Sequence, residues 1–232
     1  MKILIKILLL PLFFICLRNV YSLDINITEK NAETYYRGVY ARGSGFLNEV
    51  SAIGALELGN MFTLKSGVSF GMTANDMEIN TLISAGLSPF ANIPLSFSVL
   101  HLYNGLPDYE AHVNSIMPLI SFNAQRAGIS LGVNFRLTTF FKETTVFESI
   151  LSLYAYFNII NNDTLRIGLG AGNFNDFHAK NMGAYSLNIY LLFQLDENWL
   201  ITNNLEFMQS GGDGLTAAFY GAAFRTGVKY SW

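Results

Sequence analysis

Charged residues are scarce in this sequence. Lys, Arg, Asp and Glu together make up 13% of its 232 residues, against roughly 25% in a typical soluble domain. A soluble domain of this size needs charged side chains on its exposed faces, so this chain must expose much of its surface to something other than water. Hydrophobic residues make up 51% and aromatic residues 14%. Lipid is therefore the expected surrounding of much of the surface.

Long apolar runs are also missing, except for one at the N-terminus. A helical membrane protein needs about 20 consecutive apolar residues for each span. Helices and closed β-barrels are the two structures that satisfy all of their backbone hydrogen bonds within a bilayer. A charge-poor chain without spanning helices is therefore predicted to be a β-barrel, and its length suits one domain.

The first 22 residues have the order of a secretory signal peptide. Lys2 and Lys6 precede an apolar stretch at residues 7–16, and the positions that a signal peptidase reads, 20 and 22, hold the β-branched Val20 and the small Ser22. We expect cleavage after Ser22, which leaves residues 23–232 as the outer-membrane barrel domain. A retained anchor is the alternative, but the apolar core is too short for a span.

Cys16 is the only cysteine, and it lies within this segment. A lipoprotein acylated at Cys16 ranks second, because the bulky Ile15 before it does not suit that processing. Cleavage after Ser22 would leave no disulfide and no thiol nucleophile. It would also remove Lys2, Lys6 and Arg18. That leaves 14 − 3 = 11 basic residues against 17 acidic ones, a net charge of 11 − 17 = −6. Nucleic acid is thus excluded as an expected partner, because phosphate binding needs clustered basic residues.

The rest of the chain alternates with a period of two, which is the periodicity of β-strands. In residues 62–72, large apolar side chains fall on one face, and Gly, Ser, Thr and Lys fall on the other. The same split recurs in residues 127–137, 165–170 and 185–195. A secreted soluble β-sandwich is the alternative, but its outward face should be polar. A barrel explains both faces, because lipid touches the apolar one and the small polar one lines the lumen.

About twelve strands are predicted, in an antiparallel up-and-down transmembrane barrel. Short breakers at residues 89–92, 161–163 and 196–198 alternate with longer ones at 104–110, 172–183 and 210–216, as periplasmic turns alternate with extracellular loops. Eight or ten strands remain open, because the first strand and residues 111–122 alternate poorly and could be loops or a plug. The predicted strands are 34–43, 47–59, 62–73, 77–88, 94–104, 111–123, 126–139, 145–159, 163–172, 182–195, 198–209 and 217–232.

The last strand carries the most specific pattern. Arg225 is followed two residues later by Gly227, and the antepenultimate and final residues, Tyr230 and Trp232, are aromatic. This segment resembles the C-terminal β-signal of bacterial outer-membrane β-barrel proteins in all four of these positions. The resemblance implies recognition and folding by the outer-membrane assembly machinery, and it does not resolve a family. An aromatic pair on the lipid face suits the periplasmic interface.

The alternation also predicts which charged residues point into the barrel. Both signs occur, so a ring selective for one sign of ion is not expected. Mixed charges suit either a narrow, weakly selective pore for small solutes or a set of salt bridges that closes the lumen. The predicted lumen-lining residues are Glu57, Lys65, Glu78, Arg136, Arg166, Glu206, Arg225 and Lys229.

A narrow water-filled pore is the first hypothesis, since eight strands already suffice to fill a barrel with side chains and twelve leave more room. A structural or surface-display barrel, such as an adhesin with a closed lumen, is the alternative. A lipid hydrolase or protease comes third, because His101, His112 and His178 are predicted at the extracellular rim and no nucleophile stands out beside them. No catalytic, cofactor-binding or metal site is predicted, since the histidines lack ligand spacing.

Overall fold

The computed structural model of the chain describes residues 27–42, 45–59, 61–74, 76–90, 92–140, 144–180, 184–211 and 217–232. The predicted signal peptide, residues 1–22, and its cleavage site lie outside the described residues. Within the described ranges, no helix is both long enough and apolar enough to cross a membrane.

Twelve β-strands make up most of the described chain. Each strand pairs antiparallel with the next one along the chain, and the first strand pairs with the last, so the sheet closes into a barrel. The predicted all-β, antiparallel barrel of twelve strands is confirmed, and the alternatives of eight or ten strands are wrong. The strands are β1 (Ile27–Ala41), β2 (Gly45–Leu58), β3 (Phe62–Met72), β4 (Met77–Leu87), β5 (Leu95–Leu106), β6 (Ala111–Asn123), β7 (Ala127–Phe140), β8 (Thr144–Asn161), β9 (Leu165–Gly172), β10 (Ala184–Gln194), β11 (Trp199–Gly211) and β12 (Ala217–Ser231).

Large apolar side chains cover the outer wall of the barrel. Phe70, Phe147 and Trp232 are 54%, 65% and 56% exposed, and many Leu, Ile and Val side chains on other strands are exposed as well. An apolar surface of this extent is unfavourable in water, because each Å² of it costs about 25 cal/mol relative to an apolar environment. Acyl chains supply that environment, so the outer wall is a surface for lipid.

The barrel closes along a continuous ladder between β1 and β12, from Asn31 opposite Ser231 to Ala41 opposite Gly221. Trp232 extends the ladder, since its N–H donates to Lys30 O at 2.9 Å. Gly227 has no room for a side chain, because a Cβ there would lie 2.6 Å from the Cβ of Tyr35. The rings of Tyr230 and Trp232 stack at 5.5 Å between centroids.

Both segments with poor alternation are strands. β6 alternates poorly because its inner face is apolar too, with Met117 and Leu119 buried inside the barrel. Pro118 has no N–H to donate, and the β6–β7 ladder skips from Ile116 to Leu119 at this point. The first strand is longer than predicted and begins at Ile27 rather than at residue 34.

The predicted contrast between short and long connections holds only in part. The predicted long loop at residues 104–110 belongs partly to β5 and otherwise forms a 3-10 turn at Pro107–Tyr109. The predicted short turn at 89–92 lies in a connection of residues 88–94, which is longer than several at the opposite end. Residues 173–180, which follow β9, form the part of the next connection that contains the candidate site.

Candidate functional site

Residues 173–180, which we call the lumen segment, fold back into the barrel as a short hairpin. Its two ends are joined by a hydrogen bond of 2.6 Å from Lys180 N to Asn173 O. Its bend is capped by the side chain of Asn175, whose Oδ1 accepts from the backbone N–H of Phe177 at 3.0 Å and of His178 at 2.8 Å. An Asn side chain that captures two backbone N–H groups is a common turn device.

The base of the lumen segment is fixed to β8 through Asn173. Its Oδ1 accepts from the backbone N–H of Leu153 at 2.9 Å, and its Nδ2 donates to Leu151 O at 2.8 Å. The ladder between β9 and β10 ends at the pair of Gly172 and Ser186. Apart from Asn173, whose backbone N–H donates to Leu153 O at 3.0 Å, the lumen segment lies outside the barrel ladder and projects inward from it.

Phe177, at the bend, is only 1% exposed. Its ring lies 6.4 Å from that of Tyr35 between centroids, and a Cβ at Gly67 would be 3.1 Å from its ring edge. Glycine at position 67 thus leaves the space that the phenyl ring occupies. Phe177 belongs to a buried apolar cluster inside the barrel with Tyr35, Ile53, Leu82, Leu100, Leu102, Met117 and Leu119.

Charged side chains hold the other side of the lumen segment. Asp176 forms ion pairs with Lys65 on β3 and with Arg225 on β12, the second at 3.2 Å. Arg225 also pairs with Glu33, and its guanidinium lies 3.6 Å from the centre of the Tyr35 ring. Burial raises the pKa of Asp176, but Lys65 and Arg225 outweigh it and hold that pKa well below its usual range.

A second group of charges surrounds Arg37. Its guanidinium lies 3.0 Å from a carboxylate oxygen of Glu49 and 2.8 Å from one of Glu206. The lumen segment joins both acids, because His178 Nε2 is 3.4 Å from Glu49 Oε2 and Lys180 Nζ is 2.9 Å from Glu206 Oε1. Buried charges are costly without partners, so this arrangement ties the lumen segment to β2 and β11.

The two charge groups face one cavity of about 370 Å³. Beside the cavity, part of the inner wall is shielded from solvent. Six residues on six successive strands, β3 to β8, are each at most 1% exposed, so neighbouring side chains and the lumen segment cover the wall there. These residues are Ser69, Asn80, Leu102, Ser115, Asn134 and Ser152.

The eight predicted lumen-lining residues fall into two sets. Lys65, Glu206 and Arg225 line the cavity and contact the lumen segment. The other five are near strand ends, outside this network: Arg136 pairs with Glu148, Lys229 with Glu29 and Arg166 with Asn161, while Glu57 and Glu78 are partly exposed.

The three histidines do not share a rim site. His178 is inside the barrel, beside Glu49, because the lumen segment carries it inward. His101 lies between Ile83 and Ile116, whose side chains are 60% and 50% exposed on the outer wall. His112 stacks on Tyr103, with 6.0 Å between ring centroids. The prediction that all three lie at one rim is wrong for His178 and His101.

Several residues of the site were absent from the sequence prediction. Arg37 and Glu49 lie on the first two strands, where inward Tyr35 and Val39 weaken the alternation. Asp176 and Lys180 lie in a segment that was predicted to be an extracellular loop. The signal available in the sequence was the composition of this loop, which combines Phe, His, Asp and Lys.

Solved bacterial outer-membrane barrels share this fold. The KdgM porin in complex with disordered oligogalacturonate is 12% identical, with a TM-score of 0.59, over 87% of this chain and 99% of that chain. An outer membrane channel from Pseudomonas putida F1 is 10% identical, with a TM-score of 0.55, over 90% of this chain and 97% of that chain.

The translocator domain of the autotransporter NalP from Neisseria meningitidis is 16% identical, with a TM-score of 0.52, over 95% of each chain. No protein-family model and no curated protein matches the sequence. These neighbours differ in their described functions, and at such identities the likeness concerns the fold. The chain has the fold of bacterial outer-membrane β-barrels, and its apolar outer wall suits a multi-pass barrel in the outer membrane.

Proposed function

We propose that this protein is a narrow, weakly selective outer-membrane channel for small solutes, and that the structure is its closed state. The observation that carries the proposal is the way in which the lumen is closed. The closing element is a loop segment, residues 173–180, rather than the side chains of the wall alone. Twelve strands enclose more space than wall side chains fill, and the lumen segment occupies part of it.

The contacts of the lumen segment favour reversible closure. Beyond Asn173, it is held by the ion pairs of Asp176, His178 and Lys180, by the ring of Phe177 and by a hydrogen bond of 2.7 Å from Asn104 Nδ2 to Phe177 O. Each of these contacts involves a side chain, and the β9–β10 ladder does not depend on them. Outward movement of the segment therefore leaves the barrel intact. Loops that occlude a site commonly move on microsecond to millisecond timescales.

The experiment compares two refolded proteins in planar lipid bilayers: residues 23–232, and the same chain with residues 174–179 replaced by two glycines. We expect the complete chain to be closed for most of the time, with brief discrete openings. The shortened chain should conduct steadily with larger steps. Circular dichroism provides the control that both proteins keep the same strand content.

A structural or surface-display barrel with a closed lumen is the second candidate. It is favoured by the burial of inner-wall side chains such as Ser69, Leu102 and Asn134, which are shielded from solvent in the described part of the chain. If the shortened chain folds but stays silent in the bilayer, the channel proposal fails and this second candidate takes its place.

A further inference from the structure

The lumen segment offers one acid and one base to two separate places on the barrel wall. Asp176 contacts Lys65 and Arg225, and Lys180 contacts Glu206. The two residues are four positions apart in the hairpin. The segment thus presents one negative and one positive group to the lumen wall, as a small zwitterion would.

Without the charges of the lumen segment, each of the two groups of charges on the barrel wall has one charge in excess. At the first place, Lys65 and Arg225 face the single acid Glu33, which Arg225 contacts. Asp176 is the acid that Lys65 contacts within the described part of the chain. Two cations against one acid leave a net charge of about +1 at this place.

At the second place the imbalance has the opposite sign. Arg37 is shared between Glu49 and Glu206, at 3.0 and 2.8 Å, so two acids face one guanidinium. His178 and Lys180 of the lumen segment supply the additional partners. Without the segment, this place has a net charge of about −1. An open lumen therefore has a positive and a negative pole.

Both poles line the same cavity of about 370 Å³. Asp176, His178 and Lys180 line it too, so this is the volume that remains beside the lumen segment in the closed state. It already lies within the roughly 300–1,000 Å³ typical of small-molecule sites, and outward movement of the segment enlarges it. Tyr35, Leu100 and Leu119 also line the cavity, so it offers apolar surface between charged groups. A partly buried charge that loses its partner is destabilised, so it favours binding of another group with the same sign of charge as the lost partner.

We propose that the solute of this channel is a zwitterion of the size of an amino acid or a short peptide. Its carboxylate takes the place of Asp176 on Lys65 and Arg225, and its ammonium group takes the place of Lys180 on Glu206. The proposal rests on the proposed channel function. Because solute and lumen segment compete for the same contacts, the solute binds the open state and increases its population.

The first test measures binding to residues 23–232 in detergent by titration calorimetry. The probes are triglycine, N-acetyl-triglycine, which lacks the ammonium group, and triglycine amide, which lacks the carboxylate. We expect triglycine to bind at least about tenfold more tightly than either derivative, since each loses one charge contact. Equal binding of triglycine and the acetylated probe indicates a plain anion site and overturns the proposal. Absence of binding by all three probes also overturns it.

The second test uses the two sides of one ion pair. Because Lys65 also holds the lumen segment, Lys65→Gln is made in the barrel with residues 174–179 replaced by two glycines. There it removes only a contact to the solute, so triglycine affinity should fall by about fivefold. Asp176→Asn, made in the complete chain, removes the competing carboxylate, so triglycine affinity should rise by about the same factor. A merely structural disturbance would move both variants in the same direction. Shifts of equal sign therefore contradict the proposal.

The two proposals can fail separately. If the barrel with residues 174–179 replaced conducts ions but triglycine shows no preference over its derivatives, the solute class is wrong and the channel stands. If triglycine binds with the expected preference while that barrel stays silent, the channel function is wrong. In that case the zwitterion site remains as a binding site of a closed barrel.

Discussion

The two sides of the lumen hold the same segment by different kinds of contact. On one side, mainly β4, β5 and β6, with Tyr35 of β1 and Ile53 of β2, contribute apolar side chains to the buried cluster that contains Phe177. On the other, β3, β11 and β12 contribute charged side chains that pair with Asp176 and Lys180. Apolar packing is strong and does not depend on which small solutes are present. Ion pairs with the segment can be exchanged for ion pairs with a charged solute. The apolar side therefore stabilises the closed position of the segment, and the charged side allows a solute to displace it.

The largest effect is expected on the charged side, from Arg37→Met. The change leaves the buried Glu49 and Glu206 without the guanidinium that lies between them. Breaking a buried ion pair costs about 3–5 kcal/mol, and we expect the free energy of unfolding in urea to fall by that amount. Arg136→Met is the control: its partner Glu148 is 40% exposed, so the loss should stay below about 1 kcal/mol. Equal losses in the two variants would contradict this account.

On the apolar side, Phe177→Ala removes the ring that is packed among Leu82, Leu102 and Met117. Truncation of a buried Phe costs about 3 kcal/mol or more. If that energy favours closure, the open fraction in a planar bilayer should rise by about a hundredfold. Phe147→Ala, on the outer wall, is the matched control, and its open fraction should match that of the unchanged protein. An unchanged open fraction in Phe177→Ala would show that the apolar side does not hold the segment.

Acidification should weaken the charged side selectively. The pKa of Asp176 is lower in the closed state than in the free side chain. Its contribution to closure is therefore complete above its ordinary pKa of about 4 and is lost as the pH falls below that value. We expect the open fraction to rise by about tenfold between pH 7 and pH 3. Other acids in the lumen titrate too, so Asp176→Asn is the reference, and its rise should be smaller.

The smallest effect should come from Asn134→Leu. Within the described residues, neither the Oδ1 nor the Nδ2 atom of Asn134 has a hydrogen-bond partner, and the side chain is fully buried. A buried polar group without a partner is destabilising, so an apolar side chain of similar size should raise the free energy of unfolding by about 1 kcal/mol. Urea unfolding checks this. A decrease would mean that Asn134 makes an important contact in the folded barrel.

The alternation of the sequence predicted the part of the molecule that faces lipid. Every strand was placed within a few residues, apart from the early start of β1 at Ile27. The period of two works because lipid demands large apolar side chains on one face and the small polar residues take the other. It weakens in β6, where Met117 and Leu119 belong to the same buried cluster as Phe177, so apolar residues lie on both faces.

The closure of the lumen could not be predicted in the same way. Lys65 and Asp176 are 111 positions apart, and Arg37 and Glu206 are 169 apart, so no local pattern links them. The inward turn of the lumen segment depends on the Asn175 cap and on the space at Gly67. Both features affect the path of the segment only in the folded barrel, because Gly67 is on another strand and meets the segment only after the barrel has closed. Thus Lys65, Glu206 and Arg225 were identified as candidates, but their partners on the segment were not.

The central claim is that residues 173–180 occupy the lumen and close it. Its most direct test is the rate at which a water-soluble maleimide labels Ser69→Cys in residues 23–232, which contain no other cysteine. Ser69 is fully buried on the inner face of β3. We expect Ser69→Cys to be labelled at least about a hundredfold more slowly than Asn162→Cys, which is on an exposed turn. When residues 174–179 are replaced by two glycines, Ser69→Cys should be labelled about as fast as Asn162→Cys. Equally fast labelling of Ser69→Cys in the complete chain would contradict the claim.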